Sequence, residues 1–209
     1  MRIRSLLALF VGTFFLVSCQ NTNEYLYQKD NAPITSKNID SPVFGDPNAK
    51  IQMMIFSDFQ CPACIYFEKN IGNKILTDYA MTNKIGLTYK NFPLPFHKNA
   101  MDDANASMCA LSEGKYKVFA EKMYALEDAK KGERVTKIER QNIAKETGLN
   151  MDNFNKCMDE GFYISKIKED MDIGDKLGLE GTPSVYVNGK NLDFRNPDEF
   201  FKILDQLIK

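Results

Sequence analysis

Cys61-Pro62-Ala63-Cys64 places two thiols three positions apart. That spacing suits a reversible dithiol/disulfide couple, half of a zinc site, or a tight structural loop. In the first case the chemistry is electron-pair transfer on sulfur. A substrate thiolate attacks one sulfur of the oxidised pair, a mixed disulfide forms, and a second substrate thiol releases it. Which of the three applies depends on the elements around the pair.

Pro62 is a residue that a first helical turn tolerates, and Ile65, Phe67, Ile71, Ile75 and Leu76 continue an apolar pattern to about Ala80. The pattern predicts a helix that opens at the thiols. Free N–H groups and the helix dipole favour a negative charge there, so Cys61 is expected to have a lowered pKa and act as nucleophile, with Cys64 as the resolving thiol.

Upstream, Ile51 to Phe56 is a short apolar run after the turn signal Gly45-Asp46-Pro47-Asn48, which predicts a buried strand feeding the pair. A second strand is expected over Gly86 to Phe92, closed by Pro93 and Pro95. From His97 to about Lys176 the pattern is helical, with candidates at 99–112, 115–127, 136–146, 151–160 and 162–177, broken at Gly114, Gly132, Gly148 and Gly161. Ser184 to Val187, the turn pair Asn188-Gly189 and Asn191 to Phe194 predict a hairpin, and Pro197 to about Ile208 a closing amphipathic helix. Neither sheet portion could bury its face alone, so the layout predicts an α/β scaffold that receives a block of helices as an insertion.

The chain has 209 residues, 44% of them hydrophobic, and a formal net charge of -1, with no basic run or aromatic-basic interleaving. Nucleic acid is therefore not an expected partner. Arg2 and Arg4 precede an apolar run from Leu6 to Val17, which fits an export signal over 1–18. Leu16-Val17-Ser18-Cys19 resembles the bacterial lipoprotein box, in which Cys19 is acylated. Residues 19–42 are polar and without period, and are expected to form a tether between lipid anchor and domain.

With Cys19 assigned to lipid, four thiols remain, in an oxidising compartment. If Cys61 and Cys64 pair with each other, Cys109 pairs with Cys157; two separate buried thiols are the alternative.

Three stretches then act together: Phe56-Ser57-Asp58-Phe59-Gln60-Cys61-Pro62-Ala63-Cys64, Phe92-Pro93-Leu94 with His97, and Gly181-Thr182-Pro183-Ser184-Val185-Tyr186-Val187-Asn188-Gly189. They resemble the DsbA-like branch of the thioredoxin superfamily, from about residue 43 to the end. The resemblance implies a thioredoxin fold over 43–96 and 178–209 with an inserted helical domain over 97–177. It also implies that Pro183 is cis beside the thiols and that the Thr182 backbone pairs with substrate. A zinc site fits poorly, since a second ligand pair is missing and His97 is the only histidine. No cofactor is implied.

Two positions depart from the family's cues for redox poise. Ala63 stands where strong oxidants of the family carry histidine, and Ile55 where thioredoxin and several relatives hold a buried carboxylate. Asp58 is the nearest acid in sequence, either a proton acceptor or a turn carboxylate. Glu68, four residues after Cys64, is either a proton relay or an exposed side chain paired like its neighbour Lys69. His97, just before a helix, is expected to be structural.

The expected function is an exported thiol:disulfide oxidoreductase that makes disulfides in other exported proteins bearing reduced cysteines, recycled by a DsbB-like membrane oxidant. A reductase or isomerase of the same compartment is the alternative within this chemistry, and a binding lipoprotein or holdase the alternative outside it. The expected place is the bacterial envelope, facing the periplasm on a lipid anchor; Gln20 after the lipidated cysteine favours the outer membrane.

Overall fold

The computed structural model describes residues 41–209. The expected signal peptide, the Cys19 lipid site and nearly all of the tether lie outside the described residues. Among the described residues, no helix is long and apolar enough to cross a membrane.

A five-stranded sheet runs in the order β1-β3-β2-β4-β5, with β1 at Val43–Gly45, β2 at Gln52–Ser57, β3 at Gly86–Asn91, β4 at Ser184–Val187 and β5 at Lys190–Asn191. Strands β2 and β3 are parallel and the other neighbours antiparallel. Central β2 is covered on both faces, with Met53, Ile55 and Phe56 almost wholly buried. This is why its sequence reads as a continuous apolar run rather than an alternation. Phe56 packs edge-on against Phe92 and Tyr186 on one face, while Met53 and Ile55 join the larger core on the other.

Helix α1, Pro62–Phe67, begins at the thiols, and its path continues through two wider π-helical stretches, Glu68–Gly72 and Ile75–Ala80. The expected helix is thus three helical pieces. The helical block comprises α2 (Ala100–Leu111), α3 (Tyr116–Lys130), α4 (Lys137–Glu146), α5 (Met151–Asp159) and α6 (Ile164–Lys176), and α7 (Pro197–Ile208) closes the chain. Helix α3 outruns its expected end because its cap is Lys131 in the left-handed region, before Gly132. A capping box between Thr136 and Glu139 starts α4. Cys109 on α2 and Cys157 on α5 are joined in a disulfide. Arg140 of α4 ties the same region together through buried Asp103 of α2, at 2.7 Å.

Two details set the site. Asn188 and Gly189 both take positive φ, 47° and 79°, the turn that the Asn-Gly pair favours. It returns the chain into β5, shorter than the expected 191–194. The antiparallel register sets Ser184 opposite Phe56, so the residues just before β4 lie beside the end of β2 from which the thiols emerge. Strand β1 has no counterpart in the sequence reading; three residues carry no detectable alternation.

Candidate active site

Strand β2 ends at Ser57, and a tight loop carries the chain to Cys61. Asp58 organises that loop. Its carboxylate accepts the Gln60 N–H at 2.8 Å and the Leu94 N–H at 2.9 Å, and meets His97 Nδ1 at 2.7 Å. The Asp58 backbone carbonyl receives the Cys61 N–H. This engaged, almost wholly buried carboxylate is a turn carboxylate in its geometry, and the lone histidine is its partner across 39 positions of sequence. The Gln60 side chain accepts the Asn99 N–H, pinning the other flank of the loop to the start of α2.

Cys61 occupies the N-cap of α1. It is 7% exposed, while Cys64, one turn inward, is 0% exposed. The two thiols therefore live in opposite environments. A hydrogen bond from the Cys64 thiol draws the Cys61 pKa down to about 5, assisted by the Thr182 side chain and the N–H groups of Cys64 and Ala63, and opposed by burial. As a thiol, Cys61 donates to the Thr182 carbonyl at 3.3 Å. As a thiolate it is served by the Cys64 thiol and the N–H groups of Cys64 and Ala63, while the buried Thr182 hydroxyl makes no hydrogen bond to it. Burial pushes the Cys64 thiol well up, and its bond to Cys61 and the Cys61 charge push the same way. The Asp58 N–H reaches Cys64 Sγ at 3.5 Å.

The Thr182-Pro183 bond is cis. The loop register described above brings Thr182 to Cys61, 121 positions away in sequence. Of the expected site residues, Cys61, Cys64, Asp58 and Thr182 form one constellation. Cys109 and Cys157 lie apart from it, in the helical block.

Glu68 is buried, not exposed, and the expected pairing with a neighbouring charge does not occur. Lys69 points outward to Asp128 instead. Glu68 accepts from Tyr89 OH at 3.3 Å, and its other oxygen has no hydrogen-bond partner among the described residues. Burial first, and then the Glu121 charge, push its pKa up to about 8, against the Tyr89 bond. It lines a cavity of about 100 Å³ together with Phe44, Tyr89, Tyr116 and Tyr124.

Because this carboxyl's folded pKa lies above its unfolded value of 4.5, its stability contribution is fully present below about pH 4.5 and lost as pH rises toward 8. At neutral pH the cost is about 3 kcal/mol. Glu68→Gln is therefore expected to stabilise the fold by up to that amount at neutral pH, with no gain in acid. Urea melts at pH ~4 and ~7 check it, and a gain equal at both values would contradict the assignment.

The pair's own linkage has the opposite sign. Cys61 titrates only when reduced, and its folded pKa is depressed from 9.0 to about 5. The reduced form is expected to hold extra stability above about pH 9, and to lose it as pH falls toward 5. Thermal unfolding of both redox forms across this window checks it; the gap between them should narrow in acid.

Ser57 and Tyr124 were not legible as site residues, yet their hydroxyls meet at 2.8 Å beside the pair. A polar residue ending an apolar strand was the only hint for Ser57. Tyr124 gave none.

A family model described as thioredoxin matches residues 37–206. Disulfide bond formation protein D of Bacillus subtilis is 27% identical over 173 residues, 80% of this chain and 77% of that protein. Among solved structures, oxidised BdbD from Bacillus subtilis superposes with a TM-score of 0.72 at 26% identity, over 80% of this chain and 92% of that one. DsbA from Chlamydia trachomatis superposes at 0.70 with 21% identity, over 86% and 96% of the two chains, a likeness of fold.

Proposed function

Since this chain belongs to the thioredoxin family and is a DsbA-like thiol:disulfide oxidoreductase, we propose that it is an exported oxidase that forms disulfides in other exported proteins. The observation that carries the direction is the asymmetry of the pair. A pKa of about 5 at Cys61 stabilises the reduced, thiolate form, and a stabilised reduced form makes the disulfide a stronger oxidant. Ala63 withdraws the family's histidine, but the Cys64 thiol and the helix N–H groups act on the same thiolate.

In this reading a substrate thiolate attacks Cys61 and the S–S bond breaks. Cys64 leaves and takes up one proton. A second substrate thiolate then attacks the substrate sulfur of the mixed disulfide and Cys61 leaves as thiolate. The substrate dithiol has lost two electrons and two protons, one proton remaining on Cys64 and one passing to solvent. The Thr182-Pro183 segment aligns the substrate backbone, and Glu68 serves proton traffic to Cys64. Asp58 keeps the loop in shape. A DsbB-like membrane oxidant restores the disulfide. Cys19 carries the lipid that holds the domain in the envelope, facing the periplasm, with the outer membrane favoured by Gln20.

Equilibration with glutathione tests the direction. The couple is expected nearer to about -120 mV than to about -270 mV, and a value at the lower end would make this a reductase. Cys64→Ser, first charged at Cys61 by exchange with oxidised glutathione, is expected to release glutathione to reduced substrate proteins and hold them as mixed disulfides on Cys61, seen as thiol-sensitive adducts by mass.

A further inference from the structure

Cys64 is wholly enclosed, yet its proton must arrive when the disulfide opens and leave when it closes. Cys61 reaches the surface and needs no such provision. Ser57 directly precedes Asp58, whose N–H reaches Cys64 Sγ at 3.5 Å, and the Ser57 side chain draws the Cys64 pKa down against burial. The Ser57 hydroxyl oxygen lies 2.8 Å from Tyr124 OH, which belongs to α3 in the helical block. Tyr124 is fixed by its ring contact with Phe59, centroid to centroid 4.5 Å, and it lines the cavity that Glu68 also lines. The free oxygen of Glu68 is buried without a partner among the described residues. A cavity of about 100 Å³ with these polar groups has room for a few waters. Its rim carries exposed Asn73 and Glu121, so the cavity leads toward solvent.

We propose that Ser57 and Tyr124 form a two-hydroxyl relay that carries the Cys64 proton to and from the cavity at Glu68. The helical block thereby takes part in the exchange reaction. The proposal rests on the reading that exchange runs through Cys61 and Cys64. As the disulfide opens, the Cys64 sulfur takes the Ser57 hydroxyl proton, Ser57 takes that of Tyr124, and Tyr124 is reprotonated from Glu68 through cavity water. Each hydroxyl gives one proton and receives one, so neither is left charged. Glu68 is left as carboxylate and recovers its proton from solvent at the rim. Closure of the disulfide runs the same path backward. Ser57 exchanges its proton with the reacting Cys64 sulfur directly, and Tyr124 acts through Ser57.

The charged and titratable groups facing Glu68 are Tyr89 on β3, Tyr116, Lys117, Glu121 and Tyr124 on α3, and Lys69 on its own helix. Of these, Tyr124 alone is bonded to the Ser57 hydroxyl.

The test follows reduced full-length protein reacting with oxidised glutathione in stopped flow with acid quench. Formation of the glutathione adduct on Cys61 is separated from its resolution by Cys64. Tyr124→Phe and Ser57→Ala are expected to slow resolution at least about 10-fold more than adduct formation near pH ~7. The deficit should shrink in alkali, where hydroxide takes the Cys64 proton directly. Ser57→Thr, which keeps a hydroxyl, should resolve at close to the wild-type rate. Equal slowing of both steps, or a deficit independent of pH, would mean that the hydroxyls only pack, and would overturn the relay; so would unchanged resolution in Ser57→Ala. If Tyr124→Phe unfolds, the Ser57→Ala and Ser57→Thr pair decides. Wild-type protein that forms no adduct on Cys61 at all would instead overturn the exchange reading on which the proposal stands.

Discussion

Cys61→Ser should reduce oxidation of a substrate dithiol to the uncatalysed rate, a loss of ~10⁴-fold or more when an essential nucleophile is removed. The size follows from the burial of the pair. Cys64 is enclosed and its thiol is pushed well above the ordinary range, so it cannot substitute as the attacking or attacked sulfur. Serine keeps the N-cap geometry of α1 while removing the sulfur, so the fold should survive. Rates with a reduced peptide and unfolding curves measured together make the comparison. Residual turnover within about 10-fold of wild type would mean that another sulfur does the chemistry, since loss of a true nucleophile cannot be so mild.

Replacing both Cys109 and Cys157 with alanine should destabilise the protein by about 4 kcal/mol, because the bridge closes a long loop of the unfolded chain. The two positions are 48 apart and join α2 to α5. For a domain of this size the midpoint of thermal unfolding should drop by roughly 8–16 °C. The double variant avoids leaving one reactive thiol in the core. A loss below about 1 kcal/mol in urea melts would show that the bridge adds little to packing already supplied by neighbours such as Phe154, Phe119 and the Arg140–Asp103 pair. Exchange at Cys61 and Cys64 should persist wherever the variant is folded, since the bridge lies apart from them.

Local signals carried most of the architecture. The apolar run of β2, Pro62 at the helix start, the glycine breaks between α2 and α6, and Asn188-Gly189 each act over a few residues, and each marks an element of the structure. The strand and helix ends moved by one to a few positions, for reasons such as the left-handed cap at Lys131. What could not be read were facts set by distant parts of the chain. For Glu68 the sequence left two readings open, a proton relay and an exposed partner beside Lys69; the π-helical widening and the packing of Tyr89, Tyr116 and Tyr124 enclose it and remove the second. Asp58 and His97 are partners across a loop whose path no local pattern encodes. The Ser57–Tyr124 contact joins strand and helical block across 67 positions and has no periodic or compositional trace.

The burial of Cys64 beneath Cys61 sets a kinetic rule for the enzyme. With a single sulfur open to other proteins, the molecule to be oxidised and whatever re-oxidises the pair must use the same door in turn. On the exchange mechanism proposed above, the two cannot both be bonded to Cys61, so turnover is expected to be ping-pong. Each partner at high concentration should inhibit the other by occupancy alone. Flux then depends on how quickly each lets go.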